Sequence, residues 1–335
     1  MFKNKSILIT GGTGSFGKSF VKFILKNKIN FKKIVIFSRD EFKQFEMKKE
    51  FKASILNKLR FFLGDIRDKE RLKSAFSGID IVIHAAALKQ VPAAEYNPTE
   101  FIKTNIYGTQ NIVEAALDSN VQKVISLSTD KACSPINLYG ATKLCADKLI
   151  LSANNIKGNK NIIFSAVRYG NVFNSRGSVV PEFYKQKKTG ALNITHKDMT
   201  RFNIFMDDAI KMVLWTCQNA IGGEIVIPKI PSFFIYDLAK IIAPSCKIKI
   251  IGIRTGEKIH EILISKNESR NALDIGSYYI VSDNENIIKH YIQKKRGKKY
   301  PENNEYSSGN SENLISVNAL KKIIKKYQNS KLANL

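Results

Sequence analysis

Residues 128–143 read STDKACSPINLYGATK. The stretch closes an apolar run, VQKVISLS, and places an acid and a base side by side, Asp130 and Lys131. Tyr139 follows, with Lys143 four residues beyond it. On a helix that spacing puts both side chains on one face. A nearby ammonium favours phenolate, so the pair predicts a tyrosine pKa below its usual value of about 10. Such a tyrosine would serve as a base near neutral pH, and a carboxyl beside an amine offers two further groups for proton transfer.

These groups need elements to hold them. From residue 5 to about 170, short apolar runs alternate with longer amphipathic ones. The expected strands are 6–10, 33–37, 60–64, 80–85, 123–128 and 162–169. Several are continuously rich in Val, Ile and Leu, as strands covered on both faces are. Segments of helical length lie between them, including GKSFVKFILKNK and NPTEFIKTNIYGTQNIVEAALDSN. The alternation predicts an α/β fold, a doubly wound parallel (Rossmann) sheet with helices on both faces. After about residue 170 the pattern loosens. The expected division is a dinucleotide-binding domain over 1–170 that carries the catalytic residues. A smaller C-terminal α/β substrate domain spans 171–335, with some segments returning to the large sheet. Residues 294–314 read as polar loop, and VNALKKIIKKY as a last helix.

TGGTGSFG (10–17) follows the first strand and opens a helix. Gly11, Gly14 and Gly17 let the chain turn tightly and let a pyrophosphate approach the backbone and the helix N-terminus; Thr13, Ser15 and Phe16 complete the turn. The second strand ends in Ser38, Arg39 and Asp40, with Lys43 four residues after Arg39. An acid here would accept from a ribose 2′-hydroxyl. Arg39 and Lys43 instead suit a 2′-phosphate, so NADP is favoured over NAD. Asp65 and Ile66, then Ala85, Ala86, Ala87 and Lys89, then Leu127 and Ser128, stand at the ends of the next strands, where such sheets bind ligands.

Of the 335 residues, 44% are hydrophobic and 25% charged, an ordinary globular composition. No apolar run approaches the ~20 residues of a membrane span. The N-terminus enters a strand at once and shows no small-residue cleavage site, and the four cysteines are scattered without CxxC spacing. A cytoplasmic chain with free thiols and no metal is therefore expected. The net charge of +25 is spread along the chain without an aromatic-basic recognition motif, so an anionic small substrate is expected rather than nucleic acid.

The turn, the strand-end AAA and the YGATK resemble the extended short-chain dehydrogenase/reductase family along the whole chain. Ten blocks in order are similar, more closely, to the inverting UDP-N-acetylglucosamine 4,6-dehydratases that open pseudaminic acid synthesis. They include SRDEFKQFEM, HAAALKQVPAAEYNP, LSTDKACSPINLYGATKL, SRGSVVP, MTRF and IGIRTGEKIHE. The resemblance implies oxidation of the sugar at C4, loss of water across C5 and C6, and hydride return to C6, with tightly bound NADP recycled in place. It implies that Tyr139 is the base at the C4 hydroxyl, that Lys143 also holds the nicotinamide ribose, and that Thr129 bonds the C4 oxygen. It makes Asp130 the acid at C6 and Lys131 the base at C5. A lysine does that only if its pKa falls well below about 10.4, which burial and the Lys143 charge would promote.

For UDP-N-acetylglucosamine the resemblance implies a phosphate and nucleotide end built by Arg176, Arg201 and Arg254, with Glu257 on the uridine ribose and Thr195 and Tyr306 nearby. Asn171, Val172, Gly177, Ser178, Val179 and Val180 would line the sugar pocket, and Lys89 could reach phosphate or substrate. A homo-oligomer, dimer or hexamer, is implied as well. The alternatives are a retaining dehydratase, a C4-epimerase or reductase acting on a UDP-sugar, or a dinucleotide-sensing or RNA-binding protein that lost the chemistry. By resemblance, the Asp-Lys pair argues for the inverting enzyme.

Overall fold

The computed structural model describes residues 2–173 and 178–332, with side chains to residue 325. Seven parallel strands form the body of a ten-stranded sheet: β1 (Ser6–Thr10), β2 (Lys33–Ser38), β3 (Leu59–Leu63), β4 (Ile81–His84), β5 (Lys123–Leu127), β6 (Ile163–Val167) and β7 (Ile225–Pro228). Their spatial order is β3-β2-β1-β4-β5-β6-β7. The order reverses between β1 and β4, which opens a crevice at their carboxyl ends. Three antiparallel strands extend the β7 edge: β8 (Ala272–Asp274), β9 (Tyr278–Val281) and β10 (Lys298–Lys299), with β9 against β7.

Burial on both faces explains the continuous apolar runs. Ile7 and Ile9 of β1 enter one core layer with Phe20, Ile24, Met212 and Val213. Leu8 enters the opposite layer with Leu72, Phe76, Ile112 and Val113. The same alternation recurs at Ile34/Val35 and Ile81/Val82. Alternate side chains of one strand thus fill two cores, so its central positions are apolar on both faces.

A further core gathers Phe183, Leu192, Ile194, Leu238, Ile242 and Leu320 from the later chain. Beside it, a separate core joins Phe202, Leu263, Ile264 and Tyr306 to Ala166 and Ile227 of the large sheet, and small sheets run through both. Strand 200–204 pairs with 171–172 and 232–234, strand 247–250 with 191–194, and strand 262–264 with 306–307. One expectation needs correction. The polar stretch 294–314 is not all loop, since it holds β10 and the strand Tyr306–Ser307. The helical stretch after Asn97 forms as expected over 98–117, with one wider, π-helical turn at Ile102–Tyr107. That turn brings Asn105 inward, where its amide bridges Leu88 and the Thr142 hydroxyl.

Candidate active site

The turn after β1 has the shape its glycines suggest. Gly11 has φ +63, and a Cβ there would lie 3.0 Å from the Ala86 backbone. A Cβ on Gly17 would lie 2.3 Å from the Gly12 carbonyl, so glycine alone lets the helix Ser15–Lys26 pack this close. No side chain caps that helix at Gly14, so its first N–H groups are left for an anion. The Thr10 hydroxyl accepts from Ala85 N and Ala86 N, tying the β4 end to the turn. His84, between Thr10 and Thr109, is pushed down to about 3 by burial and by the Lys143 charge. These features fit a dinucleotide pyrophosphate.

The adenosine end is more mixed. Asp40 caps the helix Glu41–Lys49 and pairs with Lys43. Exposed Arg39 lies 3.7 Å from Asp65, which Arg67 also holds. Ser38 is buried against Gln44, and Ile66 is core. Thr13 is buried, Gly14 and Ser15 are exposed, and Phe16 packs on Phe20. Ala87 and Lys89 are exposed on the loop after β4.

The opening stretch folds as a three-residue turn, Asp130–Ala132, followed by the helix Leu138–Ile156. Asn137 caps that helix by accepting from Gly140 N. A Cβ on Gly140 would lie 2.2 Å from the Lys131 carbonyl, so this glycine sets how near Tyr139 comes to the Asp-Lys turn. Asp130 is fully buried. Its Oδ1 accepts from Lys131 Nζ at 3.0 Å and from Thr129 Oγ1 at 3.0 Å, while its Oδ2 has no partner. Burial, reinforced by the Glu261 charge, raises the Asp130 carboxyl above its usual range against the pull of Lys131.

Lys143 is buried, and its Nζ donates to the Leu127 carbonyl at 2.9 Å. Burial lowers it, while Asp147 pulls it back. Asp147 in turn accepts from Ser128 Oγ at 2.6 Å. Tyr139 departs from expectation. Burial pushes its phenol up to about 12, and the cation that draws it down is Lys131, not Lys143. Lys131 departs too. Burial would lower its ammonium, but the Asp130 and Glu261 carboxylates outweigh that and hold it above the usual lysine range. The cation that leads in lowering it is Arg201, not Lys143.

Glu261 is the group that sequence reasoning missed. Its Oε1 lies 3.0 Å from Lys131 Nζ and 3.8 Å from Arg201 Nε. The only signal was its place at the end of RTGEKIHE, where Glu257 drew attention instead. Arg201, buried, also donates to the Thr200 and Ile259 carbonyls and faces Glu257 at 3.5 Å. Asn171 Oδ1 lies 3.5 Å from Lys131 Nζ, and Val172 is half-buried beside it. Ser178, with a buried unpartnered hydroxyl, and Val179 open the helix Val179–Gln186. Exposed Arg254 donates its N–H to Glu257.

Other residues turn away from this cluster. Val180 belongs to the core of the later chain. Thr195 is buried and donates to Met199 Sδ. The Tyr306 hydroxyl is consumed by Ile230, accepting from its N–H and donating to its carbonyl, and its ring packs on Phe202. Arg176 and Gly177 lie outside the described residues.

The family described as "Polysaccharide biosynthesis protein" matches residues 7–283. Among curated relatives, the UDP-N-acetylglucosamine 4,6-dehydratase (inverting) of Campylobacter jejuni is 52% identical, covering 97% of this chain and 98% of its own. The UDP-glucose 4-epimerase of Rickettsia typhi is 41% identical, covering 94% of each chain. The X-ray structure of Pen from Bacillus thuringiensis superposes with TM-score 0.90 at 37% identity, over 98% of this chain and 99% of that one. With a glycine turn, a switch-point crevice and an acid-base turn in one frame, this chain belongs to the polysaccharide biosynthesis protein family, within the extended short-chain dehydrogenase/reductases.

Proposed function

We propose that this chain is a UDP-N-acetylglucosamine 4,6-dehydratase that inverts C5, a hydro-lyase using NADP in preference to NAD. The observation that carries the reading is Asp130, fully buried, with one oxygen unpartnered and Lys131 Nζ on the other at 3.0 Å. A redox enzyme that only moves a hydride at C4 has no use for this pair. The likeness to the C. jejuni dehydratase, stronger than that to the epimerase, supports the same choice.

A bound nicotinamide dinucleotide would supply the acceptor and donor of two electrons. Gly11, Gly14 and Gly17 would hold its pyrophosphate, Arg39 and Lys43 a 2′-phosphate, and Lys143 its nicotinamide ribose. Tyr139 receives the proton of the C4 hydroxyl. Burial holds its phenol up while the Lys131 charge draws it down, so Tyr139 is the base only when ionised: the phenolate gains the C4 hydroxyl proton and becomes a neutral phenol. The resulting C4 ketone acidifies the C5 proton; the Lys131 ammonium first passes one proton to the Asp130 carboxylate across their 3.0 Å contact, and the neutral amine so formed takes the C5 proton. Asp130, whose carboxyl burial shifts toward the protonated form, gives its proton to the departing C6 hydroxyl. Arg201 and Arg254 suit the substrate pyrophosphate. The product would feed pseudaminic acid synthesis in the cytoplasm, from a homo-oligomer.

Incubating the protein with UDP-N-acetylglucosamine in D2O tests this. NMR should show a 4-keto-6-deoxy sugar deuterated at C5 in the L-arabino configuration. Unchanged substrate, a C4 epimer or the D-xylo product alone would overturn it.

A further inference from the structure

Glu261 is a carboxylate where packing alone does not ask for one. It is 2% exposed, just ahead of the strand Ile262–Ile264. Its backbone is fixed on both sides: its N–H donates to Ser308 Oγ at 2.9 Å, and its carbonyl accepts from Ser308 N at 2.8 Å. The Ser308 hydroxyl is braced in turn by Thr200 Oγ1 at 2.8 Å. The side chain is therefore aimed by a rigid main chain. Yet one of its oxygens, Oε2, is buried without a partner. A buried carboxylate left half satisfied is costly, and a neutral side chain of similar volume would fill the space with less penalty. What the carboxylate does have is Lys131 Nζ at 3.0 Å.

The surroundings of Lys131 come from four parts of the chain. Asp130 is its neighbour on the turn after β5. Asn171 approaches from the segment after β6, Arg201 from the strand Thr200–Ile204, and Glu261 from the opposite side. Tyr139 on the following helix feels the Lys131 charge. Two carboxylates thus oppose one guanidinium. Asp130 already neutralises Lys131, so a second carboxylate is not needed for charge balance at that amine. Asp130 is also attached to the same short turn and moves with it. Glu261 is the carboxylate that ties Nζ to a different part of the fold, at 3.0 Å against 3.5 Å for the neutral Asn171 oxygen.

We infer that Glu261 is a positioning residue for Lys131: it fixes the amine's place in the sugar cleft and sets the pH at which the amine becomes free to accept a proton. This rests on the reading of Lys131 as the C5 base. Opposite charge within reach favours the ammonium, so removing the Glu261 charge lowers the pKa of Lys131. The limb of the kcat/KM profile that needs neutral Lys131 then moves to lower pH.

The test uses the full-length protein and two variants. In Glu261→Gln that limb should move toward acid by about one pH unit or more, a tenfold change in the ratio of amine to ammonium. The Lys131 side chain, followed by NMR on lysine-labelled protein and assigned by its loss in Lys131→Arg, should titrate lower by the same amount. Glu261→Asp keeps the charge but shortens the reach. Its pH limb should stay in place while kcat falls at least tenfold. An unmoved Lys131 titration in Glu261→Gln, or a Glu261→Asp enzyme with wild-type kcat, overturns the role. Absence of dehydratase product from the wild-type protein overturns instead the functional reading, because the NMR titration does not depend on turnover.

Discussion

Lys131 meets a carboxylate oxygen on each side at 3.0 Å, from Asp130 and from Glu261. Replacing it removes the one ammonium in contact with both. Lys131→Ala should therefore leave the glycine turn after β1 untouched and keep dinucleotide affinity within about twofold. Turnover should fall by about 10²–10⁴, the usual contribution of a positioned acid-base group. The variant separates binding from chemistry: calorimetry with the dinucleotide reads the first, product NMR the second. Full activity would remove Lys131 from the elimination, and lost dinucleotide binding would mean that the turn Asp130–Ala132 shapes the crevice more widely. The sequence made the residue types at this site legible, because acid, amine and phenol fall within one short stretch. It did not give their charge states. The expected coupling ran from Lys143 to Tyr139, one helical turn apart. The leading charge on Tyr139 is instead Lys131, from the same stretch, and Lys131 answers first to its neighbour Asp130 and then to Glu261, which only the fold brings near.

At the scale of elements, most of the parallel strands were legible because both faces are buried and their central positions are mostly apolar. The strands at 298–299 and 306–307 were not. They are two residues long and polar, and their pairing is decided by neighbours far along the chain. The close approach of the helix Leu138–Ile156 to the Asp130–Ala132 turn is likewise invisible in a pattern of Tyr-x-x-x-Lys, yet one residue controls it. Gly140 would place a Cβ 2.2 Å from the Lys131 carbonyl and 3.0 Å from Pro135 Cβ. Helix propensity alone favours alanine by about 1 kcal/mol. Contact with backbone cannot be relieved by a rotamer change, so the steric effect wins. Gly140→Ala should lose about 1–3 kcal/mol of stability, the usual cost of overpacking. It should also reduce turnover at least tenfold, because Lys131 shifts relative to Tyr139. Urea denaturation and kcat read the two effects. A variant as stable and as active as wild type would show that the turn and the helix are not held in contact.

Across the whole molecule, one buried ion cluster joins the later chain to the Rossmann sheet behind the active site. Arg168, just past β6, is 1% exposed and donates Nη1 to both oxygens of Glu268 at 2.9 and 3.0 Å and to the Leu263 carbonyl. Its Nη2 lies 3.8 Å from Asp147, one turn beyond Lys143. Glu268 also caps the short helix Lys266–Ser269 and accepts from Cys133 Sγ, four residues from Thr129. Burial works to raise the Glu268 carboxyl, but Arg168 overcomes it and the group ends below its ordinary value of 4.5. A depressed folded pKa stabilises the fold above the unfolded pKa, and that stability is lost as pH falls through the folded value. Asp147, raised by its own burial, works in the other direction and does not contribute to this gain. Glu268→Gln keeps the shape but leaves Arg168 with only Asp147 as a more distant partner. Removing one side of such a pair costs about 3–5 kcal/mol, and here the remaining carboxylate places the loss toward the lower end. Urea denaturation at pH 7 should show that deficit. The deficit should begin to shrink as the pH falls below about 4.5, the unfolded value, and should vanish once it passes the lower folded value and Glu268 protonates in the native state too. A gap of the same size at both pH values would mean that the amide disturbs packing, and that the ion pair is not what fastens the later chain to the sheet.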